Sequence, residues 1–133
     1  MSARLILGCA ALLGALSVAL GAFAAHGLRD QLSARMLDVF QTGVTYQFYH
    51  VPALLAVGLL MQRHSHPPLA LSGALFLLGI LLFSGSLYLL AGTGVHYLGI
   101  VTPIGGLSLM GGWLALATAL FTGGKKHADT GQR

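Results

Sequence analysis

Long apolar segments alternate with short polar ones along this sequence. Four of the apolar segments approach or exceed the roughly 20 residues with which a helix crosses the hydrocarbon core of a membrane. They cover residues 5–25, 44–61, 69–91 and 98–122. Because the connections are short, we expect consecutive helices to be antiparallel neighbours. The pattern predicts an all-α fold, an integral membrane four-helix bundle in one transmembrane domain at residues 1–124, followed by a flexible tail at residues 125–133.

The composition excludes a water-soluble domain. Charged residues make up 8% of the chain and hydrophobic residues 56%, whereas soluble domains carry roughly a quarter charged residues. We therefore expect the lipid bilayer to be the main partner of the chain. The basic residues behind the net charge of +4 are scattered along the chain, so no nucleic-acid partner is expected. The single cysteine, Cys9, excludes an internal disulfide.

The basic residues near the span ends predict the orientation. Loops on the cytoplasmic side of a membrane carry an excess of Lys and Arg. With both termini inside, the opposite side holds only Arg29 and Arg35, near Asp30 and Asp38. The cytoplasmic side then holds Arg4, Arg63, Lys125, Lys126 and Arg133. This distribution favours cytoplasmic N- and C-termini.

The first span has an alternative interpretation as a cleaved secretory signal. Arg4 precedes an apolar run, and residues 22–24, Ala-Phe-Ala, are typical of a cleavage site. The apolar run of about 20 residues is longer than most signal cores, which favours a retained helix.

Residues 27–42 carry a second kind of periodicity. Their apolar side chains recur at steps of three and four: Leu28, Leu32, Met36, Val39 and Phe40. This spacing predicts an amphipathic helix at the outer interface that runs into the second span. The alternative is a solvated connector that is helical by chance.

Small residues at helical spacing predict the helix contacts. Helices in lipid associate where small side chains let their backbones approach. The first and fourth spans each carry such a seam, formed by Gly14, Ser17 and Gly21, and by Gly105, Ser108 and Gly112. The same glycines are also compatible with a substrate path.

Polar side chains inside the predicted spans form the main candidate site. Such groups are costly in a bilayer and usually face protein. We expect an outward-facing polar pocket lined by His26, Tyr46, Gln47, His50 and Tyr88. A structural interpretation is equally open, in which Gln47 and His50 tie helices together or donate to the Phe48 carbonyl that Pro52 leaves without its usual partner.

The histidines are weak candidates for a metal or haem. His26, His50 and His96 lie on the same predicted side, but no pair has a familiar ligand spacing. We therefore expect no metal and no cofactor. The sequence also lacks a nucleophile elbow, a phosphate-binding loop and paired carboxylates, which favours a protein that is not an enzyme. His64, His66 and His127 lie on the other side among charged residues and are predicted to be solvated.

Several motifs resemble a known family. They are residues 21–28 (Gly-Ala-Phe-Ala-Ala-His-Gly-Leu), Phe40, Gly43, Tyr46-Gln47, His50, residues 83–88 (Phe-Ser-Gly-Ser-Leu-Tyr) and residues 102–106 (Thr-Pro-Ile-Gly-Gly). In this order they resemble the small bacterial inner-membrane proteins grouped as domain of unknown function 423. That group also has a small animal transmembrane relative. The resemblance implies four helices, a retained first span and an inner-membrane location, and it implies no catalytic or ligand residue.

Three hypotheses for the function follow. The leading hypothesis is a binding protein that holds a small amphiphile, lipid or ion in the polar pocket. The second is a structural or assembly protein whose polar residues only tie helices together. Such a protein could form a homo-oligomer. The third is a metal or haem protein built on the histidines.

Overall fold

The computed structural model describes residues 1–123, which form four long helices. They are α1 (Ala3–His26), α2 (Ala34–Arg63), α3 (Pro67–Thr93) and α4 (Val101–Gly123), and a short 3-10 helix (His96–Ile100) precedes α4. Each long helix is long and apolar enough to cross a membrane. The predicted all-α membrane bundle is therefore confirmed. The predicted tail at residues 125–133, with three of the basic residues used for the orientation, lies outside the described residues.

Local capping explains most of the helix ends. The Ser2 hydroxyl accepts a hydrogen bond from the Leu5 amide at the start of α1, and Ser33 does the same for Met36 at the start of α2. Pro67 begins α3, where its missing N–H costs nothing. Gly94 ends α3 in the left-handed conformation (φ 69°), which glycine adopts without strain.

The prediction of a helix over residues 27–42 is wrong for residues 27–33. Residues 27–33 form turns, because the Gly27 and Leu28 amides both bond to the Phe23 carbonyl and so end α1. Ser33 then starts a new helix that is continuous with the second span. At 30 residues α2 is about 45 Å long, longer than the roughly 30 Å hydrocarbon core. Part of α2 therefore extends beyond that core.

Consecutive helices pack as neighbours, with α3 and α4 in the most extensive contact. The two ends of the bundle are named here by their loops. The 64–66 end holds the start of α1 and the loop between α2 and α3, and the 27–33 end holds the loop between α1 and α2. All four helices contribute to one apolar core, which includes Ile6, Leu54, Val57, Phe76, Ile80 and Leu109.

The residues of the two predicted small-residue seams lie between helices. A Cβ added to Gly14 would lie 3.3 Å from Val51 Cγ1, and one added to Gly21 would lie 3.6 Å from Val44 Cγ1, both on α2. Ser17, between them, is buried and donates to the Leu13 carbonyl of its own helix.

The α4 seam makes a much closer approach to α3. A Cβ on Gly105 would lie 2.8 Å from Phe83 Cα and closer still to the Phe83 nitrogen, so the two backbones are in direct contact there. One on Gly112 would lie 2.6 Å from the Phe76 ring. Ser108 donates to the Leu75 carbonyl at 2.8 Å. The α3–α4 contact therefore combines close backbone packing with a hydrogen bond.

Candidate functional site

The candidate site is built on one face of α2. Phe40, Gly43, Gln47 and His50 follow one another at steps of three and four, so all four point into the bundle. Gln47 is 2% exposed and His50 is 7% exposed. Both polar side chains therefore need partners within the protein.

Gln47 finds its partners on two other helices. Its Nε2 donates to the Leu13 carbonyl of α1 at 2.9 Å. Its Oε1 accepts from the Tyr88 hydroxyl of α3 at 3.0 Å. One amide group thus links α1, α2 and α3.

His50, one turn further along, links α2 to α4. Trp113 Nε1 donates to His50 Nε2 at 3.2 Å. An indole N–H can only donate, so Nε2 is the unprotonated nitrogen and the ring proton resides on Nδ1. Nδ1 then donates to the Tyr46 carbonyl at 2.6 Å. Both ring nitrogens of His50 are therefore used in hydrogen bonds.

The expected bond to the carbonyl freed by Pro52 is not made by either side chain. Gln47 and His50 use the Leu13 and Tyr46 carbonyls instead of that of Phe48. The reason is direction, because both side chains point into the bundle, whereas Phe48 and Pro52 lie on the exposed face of α2.

Tyr88 closes the site toward the 27–33 end. Its ring packs on Phe40 with the ring centroids 4.8 Å apart. A Cβ on Gly43 would lie 2.7 Å from Tyr88 Cε1, so the small residue makes room for the ring. Ser84, one turn before Tyr88, is 1% exposed and its hydroxyl has no hydrogen-bond partner. This hydroxyl is the unsatisfied polar group of the cluster.

The five residues predicted to line a pocket are thus only partly brought together. Gln47, His50 and Tyr88 meet inside the bundle. The Tyr46 ring is 42% exposed and stacks on Phe83 at 4.4 Å, so it contributes mainly its carbonyl. His26 is the last residue of α1 and is exposed.

The three histidines considered as weak metal candidates do not form a cluster. His26 and His96 are exposed at the 27–33 end, whereas His50 is buried inside the bundle. Among residues 1–123, no group of three or more His, Cys, Asp or Glu side chains is placed to hold a metal ion.

Sequence reasoning missed the partners of the polar side chains. The Leu13 carbonyl carries no sequence signal, because every residue has a backbone carbonyl. Trp113 did carry one, since it lies in the middle of a span whereas membrane tryptophans are enriched at the interfaces. Other bonds between α3 and α4 join Ser72 to the Gly112 carbonyl and Ser86 to Thr102, both at 2.8 Å.

The fold and the buried polar links define a polytopic α-helical membrane protein, and comparisons with known proteins agree. The chain matches the family described as "Protein of unknown function (DUF423)" over residues 20–106. It is 44% identical to a UPF0382 membrane protein of Staphylococcus saprophyticus over 91% of this chain and 98% of the relative. It is 48% identical to a UPF0382 membrane protein of Haemophilus influenzae over 84% of this chain and 89% of that protein.

The printed name of a further relative states in which membrane that relative resides. The UPF0382 inner membrane protein YgdD of Escherichia coli is 42% identical over 85% of this chain and 86% of YgdD. No solved structure matches the chain significantly. The chain belongs to the DUF423 family. The resemblance found in its motifs is confirmed.

Proposed function

We propose that this protein is a non-catalytic structural or assembly component of the bacterial inner membrane. The observation that carries the proposal is the bridging amide of Gln47, which bonds to α1 through Nε2 and to α3 through Oε1. Because the amide N–H and the amide oxygen of Gln47 both form hydrogen bonds between helices, this side chain stabilises the bundle. It has little remaining hydrogen-bonding capacity for a ligand.

The physical setting supports this role. Lipid tails are as apolar as the helix surfaces, so packing and interhelical hydrogen bonds hold the bundle together. Gln47 and His50 connect α2 to each of the other three helices. In this proposal the bundle acts through its outer surface, as a homo-oligomer or beside a partner protein.

A second candidate function is the binding of a small amphiphile, lipid or ion in the polar cluster. The enclosed Ser84 hydroxyl, without a partner beside Tyr88, favours it. An unmade hydrogen bond in a buried site costs about 1–3 kcal/mol, so a bound polar group would gain by satisfying it.

Replacing His50 by alanine separates the two functions. If the residue ties helices, H50A lowers the yield of folded protein and weakens the bundle, because Trp113 loses its acceptor. If it lines a pocket, H50A leaves folding intact and abolishes a ligand signal. H96A is the matched control, since His96 is exposed.

The measurements are native mass spectrometry after gentle extraction and the fluorescence of Trp113, the single tryptophan of the chain. The structural proposal expects a defined oligomer or co-purifying protein, and an altered Trp113 emission with loss of fold in H50A. A bound small molecule that H50A removes from an otherwise unchanged bundle would instead establish the second candidate.

We further propose that the first helix is retained and that both termini are cytoplasmic. Arg4 and Arg63 lie at the 64–66 end, whereas Arg29 and Arg35 lie at the opposite end together with Asp30 and Asp38. Reporter fusions to the N-terminus and to the C-terminus are expected to report the same, cytoplasmic side. Termini on opposite sides, or a mature protein that begins after Ala24, would contradict this topology.

A further inference from the structure

A cavity at the 64–66 end of the bundle lies apart from the polar cluster of α2. Its volume is about 310 Å³, the lower end of the range of small-molecule sites. The lining includes His64, Ser65 and His66 from the loop, Ala3 from the first turn of α1, and Met61 and Ala70 from α2 and α3. One side is therefore polar and the other apolar.

One lining residue, His66, has a ring nitrogen without a hydrogen-bond partner. Its Nδ1 is enclosed and makes no hydrogen bond. His66 stands directly before Pro67 at the start of α3, and its side chain makes no capping bond there. Burying such a nitrogen unpaired is unfavourable, so a polar group bound in the cavity would be stabilised by a hydrogen bond to it. The prediction that His66 is solvated is wrong for Nδ1, which is enclosed, whereas the residue as a whole is partly exposed.

The charge around the cavity favours an anion. Arg4 and Arg63 directly follow and precede the lining residues Ala3 and His64. Of the acidic residues that the structure describes, Asp30 and Asp38 are both at the opposite end of the bundle.

We propose that this cavity binds the phosphate of a phospholipid headgroup. The phosphate oxygens accept from His66 and from the polar loop, while the glycerol portion contacts the apolar side at Met61 and Ala70. The cavity is too small for acyl chains, and it lies at the end of membrane-spanning helices, at the level where headgroups are found. The apolar wall distinguishes this ligand from free phosphate, because free phosphate has no carbon atoms that could pack against the wall.

Lipid retention by the full chain tests this site. The protein is extracted, exchanged into nanodiscs of phosphatidylcholine with a minor fraction of phosphatidylglycerol, and then released for native mass spectrometry. We expect a retained phospholipid adduct on the wild-type protein in which phosphatidylglycerol is enriched above its fraction in the nanodisc, because the nearby Arg4 and Arg63 favour a lipid of net negative charge. H66A should reduce its occupancy about tenfold, which corresponds to the loss of one charge-assisted hydrogen bond. H96A, at the opposite end, should retain it.

A second variant guards against a folding defect in H66A. A70L fills the cavity from its apolar side and keeps the His66 imidazole, and the same loss of adduct is expected in a bundle of unchanged thermal stability. Competition with inorganic phosphate distinguishes the two sources of the phosphate group. Displacement by phosphate at micromolar concentration, or equal adducts on the wild-type protein and both variants, would overturn the proposal.

Discussion

Replacing Gly105 by alanine is expected to destabilise the bundle by about 3 kcal/mol, the upper part of the range for an overpacked core. The added methyl group would lie 2.8 Å from the Leu82 carbonyl carbon and from Phe83 Cα. These are backbone atoms of a helix and cannot rotate away, so α3 and α4 have to separate. The loss should appear as a lower midpoint in SDS-induced unfolding followed by circular dichroism.

Gly106 provides a matched control on the same turn. A Cβ at Gly106 would lie 3.7 Å from the nearest atom of the Phe83 ring, an ordinary contact. Alanine is favoured over glycine in a helix by up to about 1 kcal/mol, so G106A should be neutral or slightly stabilising. Equal effects of G105A and G106A would show that the close approach of α3 and α4 is not a determinant of stability.

Replacing Gln47 by methionine is expected to cost about 1–3 kcal/mol, since hydrogen bonds between membrane helices contribute about 0.6 kcal/mol on average and up to about 1.7 kcal/mol each. Methionine keeps the approximate length of the side chain but can neither donate to the Leu13 carbonyl nor accept well from Tyr88. The loosened contact should be greatest at α1, which α2 holds in place.

The coupling between Gln47 and Tyr88 can be measured directly. A double-mutant cycle with Q47M and Y88F isolates the bond between the two side chains, and a coupling of about 0.6–1.7 kcal/mol is expected. Q41M is the control, because Gln41 is exposed on the same helix. A coupling of zero, or an equal loss in Q41M, would remove Gln47 from the interactions that hold the bundle.

The fold was predictable because a membrane imposes a simple length rule. Each predicted span lies almost wholly within a helix, and the main error concerned residues 27–33, where the apolar spacing is helical but two caps intervene. The local signals were present as Gly27 and Ser33. Their combined effect depends on the Phe23 carbonyl accepting two amides, which periodicity does not reveal.

The candidate site was predictable only on the helix that carries most of it. The spacing of Gln47 and His50 placed both on one face of α2, because that face depends on helix geometry alone. Their partners depend on how the helices are rotated against one another. Leu13 offers only a backbone oxygen, and Trp113 lies 63 residues beyond His50. His66 was misjudged for the same reason, since only the folded loop encloses its Nδ1.

The distance along the chain between His50 and Trp113 has a consequence for biogenesis. Gln47 can meet α1 as soon as α2 is in the membrane, but His50 Nε2 acquires its donor only when the last helix arrives. Until then the nascent protein carries an imidazole in the bilayer with one nitrogen unoccupied. Docking of α4 therefore completes the polar links between the helices, and a chain truncated before Trp113 would leave His50 Nε2 without its donor inside the membrane.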